Sequence, residues 1–205
     1  MAAPSVTTSS PEQTEPAWEI ARIFPPQGAW SEEEYLTLKT NHLVEFSHGY
    51  VEVLPMPTQR HQLIVAYLYT ILLAFVQRFG GTAIFAPFRV RLWAGKFREP
   101  DLMFMLPINT DRRHDNYWDG ADLVIEVVSP DDPQRDLVTK RQEYAQAGIP
   151  EYWIVDPQAE LISVLRLEQD HYVEHGQFGH GATATSLVLT GLQIDVDAVF
   201  AIARL

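Results

Sequence analysis

The chain has 205 residues, 46% of them apolar, which is enough for one core and too little for two domains of ordinary size. It contains no cysteine, which excludes disulfides and thiolate zinc sites and fits a reducing, cytoplasmic setting. Its 15 Lys and Arg against 27 Asp and Glu leave a net charge of −12, the wrong sign for a phosphate-rich partner unless the cations gather on one side.

Residues 1–27 lack the basic start and apolar stretch of a secretory signal, and their Ser, Thr, Pro and Glu content predicts a mobile tail before a single domain at 28–205. In "SEEEYLTL" (31–38), Ser31 with Glu34 three residues on predicts a capping box and a short helix. "HLVEFSHGYVEVLP" (42–55) reads as two short strands turning at His48-Gly49. From Thr58 to Phe79 the apolar positions recur at helical spacing until Gly80-Gly81. The most apolar part, residues 63–76, would span only about 21 Å as a helix against roughly 30 Å of bilayer hydrocarbon, so it reads as a core helix.

"TAIFAPFRVRLW" (82–93) reads as one strand, and "EPDLMFML" and "ADLVIEVVS" as two central strands separated by a polar loop. "DPQRDLVTKRQEYAQAGIP" predicts a helix from Pro133 to Ala147, closed by Gly148 and Pro150. Strands "EYWIVDP", "LISVLRLE" and "HYVEHG" follow, then a last strand and a terminal helix. The order predicts a mixed α/β fold, a central mixed sheet flanked by helices with β-hairpins added at both ends. The strand-helix-strand unit over 122–156 predicts a right-handed parallel crossover.

Charge is unevenly placed. Between Val53 and Arg98 there is no Asp or Glu, while Arg60, Arg78, Arg89, Arg91, Lys96 and Arg98 all fall there; beyond Gln142 acids dominate. This is consistent with one positive side, and equally with ordinary solvated charges in an uneven order.

The chemistry centres on "DLVIEVVSP" (122–130). Alternate residues of a strand share a face, so Asp122, Val124, Glu126 and Val128 point one way and Leu123, Ile125 and Val127 the other. A carboxylate inside such an apolar run costs several kcal/mol unless a cation, a hydrogen-bond donor or a metal meets it. The preceding strand brings a second acid, Asp101, at the head of its own apolar run. Two carboxylates on adjacent strands suit Mg²⁺ or Mn²⁺, hard ions that leave positions to water, and such a site suits phosphodiester hydrolysis. Lys140, one loop and about two helical turns beyond Glu126, is the candidate amine. Structural alternatives stand beside each residue: Asp101 as a strand cap, Glu126 paired to a buried Arg, Lys140 paired to Asp136 one turn back, His61 as a helix-start histidine.

"GYVEVLPMPTQRHQLI", "EPDLMFM", "DLVIEVVSP" and "RDLVTKRQEYAQAGIPEYWIVDP", in this order, resemble the restriction-endonuclease-like Uma-two family, abundant in cyanobacteria, within the PD-(D/E)XK nuclease superfamily. The resemblance runs over roughly residues 30 to 200. It implies a restriction-endonuclease-like core and a Mg²⁺- or Mn²⁺-dependent endonuclease acting on DNA, with Asp101 and Glu126 as metal ligands. The lysine of the superfamily pattern would fall on Val128, so the family implies an amine supplied by the following helix, at Lys140. His61 matches a position where related nucleases carry an acid facing the metal, and Glu52 lies in the hairpin before it. Cutting both strands of a duplex with one small site predicts a homodimer. The rival reading is a nuclease fold without cleavage that binds nucleic acid or a protein partner.

Overall fold

Ser31 begins the ordered architecture in the way its neighbours dictate. In this computed structural model, which describes residues 24–40, 42–202 and 204, Ser31 caps helix α1 (Glu32–Thr37). Its hydroxyl accepts from the Glu34 N–H at 3.2 Å, and the Glu34 carboxylate accepts from the Ser31 N–H at 2.8 Å. Residues 1–23 of the expected tail lie outside the described residues. Residues 24–27, placed in the tail by composition, belong to the domain: Phe24 stacks on Trp30, and the Gln27 amide exchanges two 2.9 Å hydrogen bonds with the Val51 backbone.

Strands β1 (Val44–Ser47) and β2 (Tyr50–Val53) form the predicted hairpin. His48 and Gly49 both take positive φ, 47° and 86°, as a type I′ turn requires. A side chain at Gly49 would meet the Gly28 carbonyl oxygen 2.6 Å away. Helix α2 (Gln59–Phe79) starts at Thr58, whose hydroxyl accepts from the His61 N–H at 3.2 Å.

The expected single strand over 82–93 is two. It breaks at the cis Ala86-Pro87 bond, where no N–H is available for a ladder, into β3 (Thr82–Phe85) and β4 (Arg89–Trp93), which join different sheets. After β5 (Lys96–Arg98) and β6 (Leu102–Met105), the polar loop holds a 3₁₀ turn (Pro107–Arg112) and the short β7 (Tyr117–Asp119). Then come β8 (Leu123–Val127), a π-helical turn (Arg135–Lys140) leading into α3 (Arg141–Gln146), β9 (Glu151–Asp156), β10 (Leu161–Glu168) and β11 (His171–Phe178). The chain closes with β12 (Thr183–Thr185), β13 (Gln193–Asp195) and α4 (Val196–Ala201).

The central sheet is six-stranded, β11-β10-β9-β8-β6-β3, and mixed: β8 and β9 run parallel, the other neighbours antiparallel. A second sheet, β2-β1-β5-β4-β7, packs beside it. The alternation read in β8 holds. Leu123, Ile125 and Val127 join one core with Ile64, Leu68 and Leu72 of α2, while Val124 and Val128 join another with Tyr144, Tyr152, Val90 and Trp118. Each fully buried Leu or Ile adds about 1.5–3 kcal/mol to that packing.

Four of the six cations of the basic block are tied to acids. Arg91 pairs with Asp119 at 2.5 Å, Lys96 and Arg98 with Glu143 at 2.7 Å each, Arg98 also with Glu45, and Arg89 lies over the Tyr35 ring, 3.5 Å from Glu99. These cations serve internal pairs whose acids come from other parts of the chain.

Candidate active site

The antiparallel register of β6 on β8 sets Leu102 against Ile125, and so brings Asp101, just ahead of β6, beside Glu126. The Asp101 N–H points at Glu126 Oε2, 3.4 Å away. Asp101 Oδ2 accepts from the Val127 N–H at 2.8 Å and meets His61 Nε2 at 3.0 Å. His61 reaches it from the first turn of α2. Two elements, β8 and α2, thus orient one carboxylate and leave its Oδ1 without a protein donor among the described residues.

Glu126 is buried, 2% exposed, on the face read from the sequence. Its Oε1 accepts from the Tyr144 hydroxyl at 2.6 Å and lies 3.0 Å from Lys140 Nζ. Lys140 is buried too and sits 3.0 Å from Asp136 Oδ1. The helix expected from Pro133 is π-helical over its first part, and it turns Asp136 and Lys140 inward together; Tyr144 follows on α3.

Burial pushes the Glu126 carboxyl up, Lys140 pulls against it, and Asp101 and Asp136 push it further. Asp136 is raised likewise, with burial as the largest cause. Burial alone would lower the Lys140 ammonium, but Glu126, Asp136 and Glu45 outweigh it and hold the amine charged. His61 is raised because the Asp101 bond and charge overcome its desolvation. Behind these groups, burial would raise Glu45, yet Lys140, Arg98 and Arg135 bring it down to about 2.

A cavity of about 210 Å³ opens over these groups, lined by His61, Asp101, Glu126, Asp136 and Lys140 and by Pro55, Met56 and Pro57. Asp101, Glu126 and Asp136 gather round Lys140, and Glu52, Glu99, Asp131 and Asp132 also line the cavity, with Arg135 as its second cation. Such an excess of buried negative charge suits a dication. Among the described residues no three His, Asp or Glu side chains form a ready metal cage. The donor set is therefore two carboxylates with further positions left to water, which fits Mg²⁺ or Mn²⁺. Asp101 and Glu126 would hold such an ion.

Of the residues read from the sequence, Asp101, Glu126, Lys140 and His61 come together. Glu52 lines the same cavity but touches none of the four: its carboxylate accepts two hydrogen bonds from Arg135, at 2.7 and 3.0 Å. Two supporting residues escaped the sequence reading. Glu45, buried between Arg98 and Arg135, is an acid between Val44 and Phe46, the same signal that marked Glu126. Arg135 carried no local signal.

Residues 32–197 match the profile of the Uma2 family, described as "Putative restriction endonuclease". Among solved structures, the crystal structure of a "putative nuclease belonging to DUF820" from Anabaena variabilis superposes with a TM-score of 0.70 at 19% identity. The match covers 85% of this chain and 99% of that one, and it shows a restriction-endonuclease-like fold. No curated protein matches the chain.

Proposed function

Because the chain belongs to the Uma2 family, we propose that it is a divalent-metal-dependent endonuclease that hydrolyses DNA phosphodiester bonds at the Asp101–Glu126–Lys140 cavity. The observation that carries this reading is the convergence of two strand carboxylates and one helix amine in a buried, net negative cavity. When bound, the dication supplies Lewis-acid stabilisation of charge developing on a phosphate oxygen and acidifies a neighbouring water. His61 and the Val127 N–H fix Asp101, and Tyr144 fixes Glu126, so neither carboxylate must reorganise to hold the ion. The Lys140 ammonium, 3.0 Å from both Glu126 and Asp136, carries the positive charge that would meet a non-bridging phosphate oxygen. It stands in for the charge that Val128, on the same strand face, lacks.

The test is cleavage of supercoiled plasmid with Mg²⁺ or Mn²⁺. Nicking or linearisation is expected, abolished by chelation and by Asp101→Asn or Glu126→Gln. No cleavage of duplex or single-stranded DNA with either ion would refute the enzyme.

A second reading keeps the fold without cleavage, as a module for nucleic acid or a protein partner. It draws on Val128 and on cations engaged in internal pairs. Binding without cleavage by the intact chain would select it.

A further inference from the structure

Helix α2 buries Ile64, Val65, Leu68 and Leu72, and among the described residues Leu73 and Phe79 on its other sides stay exposed. Residues 63–76 carry no charge at all. Leu73 is 38% and Phe79 53% exposed, and Phe85 on the adjoining β3 is 49% exposed. The Tyr69 ring meets Phe85 edge-on at 4.8 Å, which joins the helix to β3, and Phe75 meets Phe79 at 4.5 Å.

Beside the helix, among the described residues, lies a strand with one edge unpaired. β3 is the last strand of the six-stranded sheet, and Thr82-Ala83-Ile84-Phe85 contains neither the charge nor the proline that ordinarily protects an edge. Its outer row of N–H and C=O groups is a template for another strand.

Charge decides what fits there. The segment from Leu54 to Phe97 has no acid, and Arg78, the cation on this part of the helix, lies over its own Phe79 ring at 5.0 Å. A polyanion finds too little positive charge and a basic partner finds no acid. Two copies of a −12 chain repel each other over most of their surfaces, but not over this one. An isologous contact also needs a self-complementary face, and antiparallel pairing of an edge strand with its own copy meets that need.

We propose that a second copy of this chain docks here about a two-fold axis, β3 pairing with β3 and α2 packing against α2. The surface is independent of the catalytic reading and goes beyond it. A footprint about 31 Å long and roughly 15 Å wide is on the order of 500 Å² per copy. A standard stable pair needs roughly 600–1,000 Å² per partner, so a weak, concentration-dependent dimer is expected.

Sedimentation velocity of the full chain over a micromolar concentration series tests it. A monomer–dimer equilibrium is expected, and Leu73→Glu or Phe85→Glu should leave only monomer while preserving the far-ultraviolet circular dichroism. A wild type that stays monomeric at the highest concentration, or a dimer indifferent to both substitutions, overturns the proposal. So does a monomer that floats with neutral phosphatidylcholine vesicles, which assigns the face to a membrane. Should a variant fail to fold, amide exchange in the wild type decides: protection of Ala83–Phe85 that rises with concentration supports the contact, and protection that does not overturns it.

Discussion

Replacing Lys140 with methionine keeps the length of the side chain and removes the charge that two buried acids share. The ammonium lies 3.0 Å from both Glu126 and Asp136, and the three residues are 2–5% exposed. Removing one member of a buried ion pair costs about 3–5 kcal/mol. Two acids lose the same partner here, so about 4–5 kcal/mol is expected at pH 8, or a melting temperature roughly 10–20 °C lower for a domain of this size. The penalty is pH-dependent. Burial raises both carboxyls, and without Lys140 they rise further, so the folded variant binds protons more tightly than the unfolded chain and gains stability as pH falls through those raised pKa values. At pH 5.5 the deficit should shrink to roughly 1–2 kcal/mol, the worth of the lost hydrogen bonds. Thermal unfolding at the two pH values measures both figures, and plasmid cleavage should fall about 10²–10³-fold under conditions where the variant is folded. A variant that melts with the wild type at pH 8 would mean that the amine compensates neither acid, and the migrated-lysine site would be wrong.

The remaining predictions concern the supporting residues. His61→Ala should weaken Mn²⁺ binding about 10-fold, the scale for losing a group that orients a ligand, with calorimetry as the measure; an unchanged affinity would limit His61 to a structural role. Burial pushes Glu99 up to about 7 from an ordinary 4.5, so its charged form is penalised in the fold. Relative to Glu99→Gln, the wild type should lose stability as pH rises from about 4.5 to 7, by up to about 3 kcal/mol, in urea unfolding at each pH. Val128→Lys combined with Lys140→Met should recover part of the lost cleavage, because position 128 faces the same side of β8 as Glu126; no recovery would show that an amine on the strand cannot serve this cavity.

Much of the fold was legible from the sequence because its signals are local. The Ser31–Glu34 cap, the His48-Gly49 turn, the Thr58 cap and the two faces of β8 each depend on residues within a few positions of one another. Partnership is not local, and there the tertiary structure decided. Strand propensity shows that residues 82–93 extend, but not that Ala86-Pro87 sends the two halves to different sheets. β5 and β7, three residues each, exist because a neighbouring strand supplies their ladder, not because their own pattern demands it. The same limit governed the charges. The acid-free block read as a candidate positive side, yet Arg98 finds Glu45 across 53 positions and Glu143 across 45. Alternation told which side of the sheet Glu126 occupies, and burial told that it needs a partner. That the partner is Lys140, that His61 holds Asp101, and that Arg135 holds Glu52 depends on how distant elements pack, because a charge's partner is set by distance in space and the sequence orders only distance along the chain.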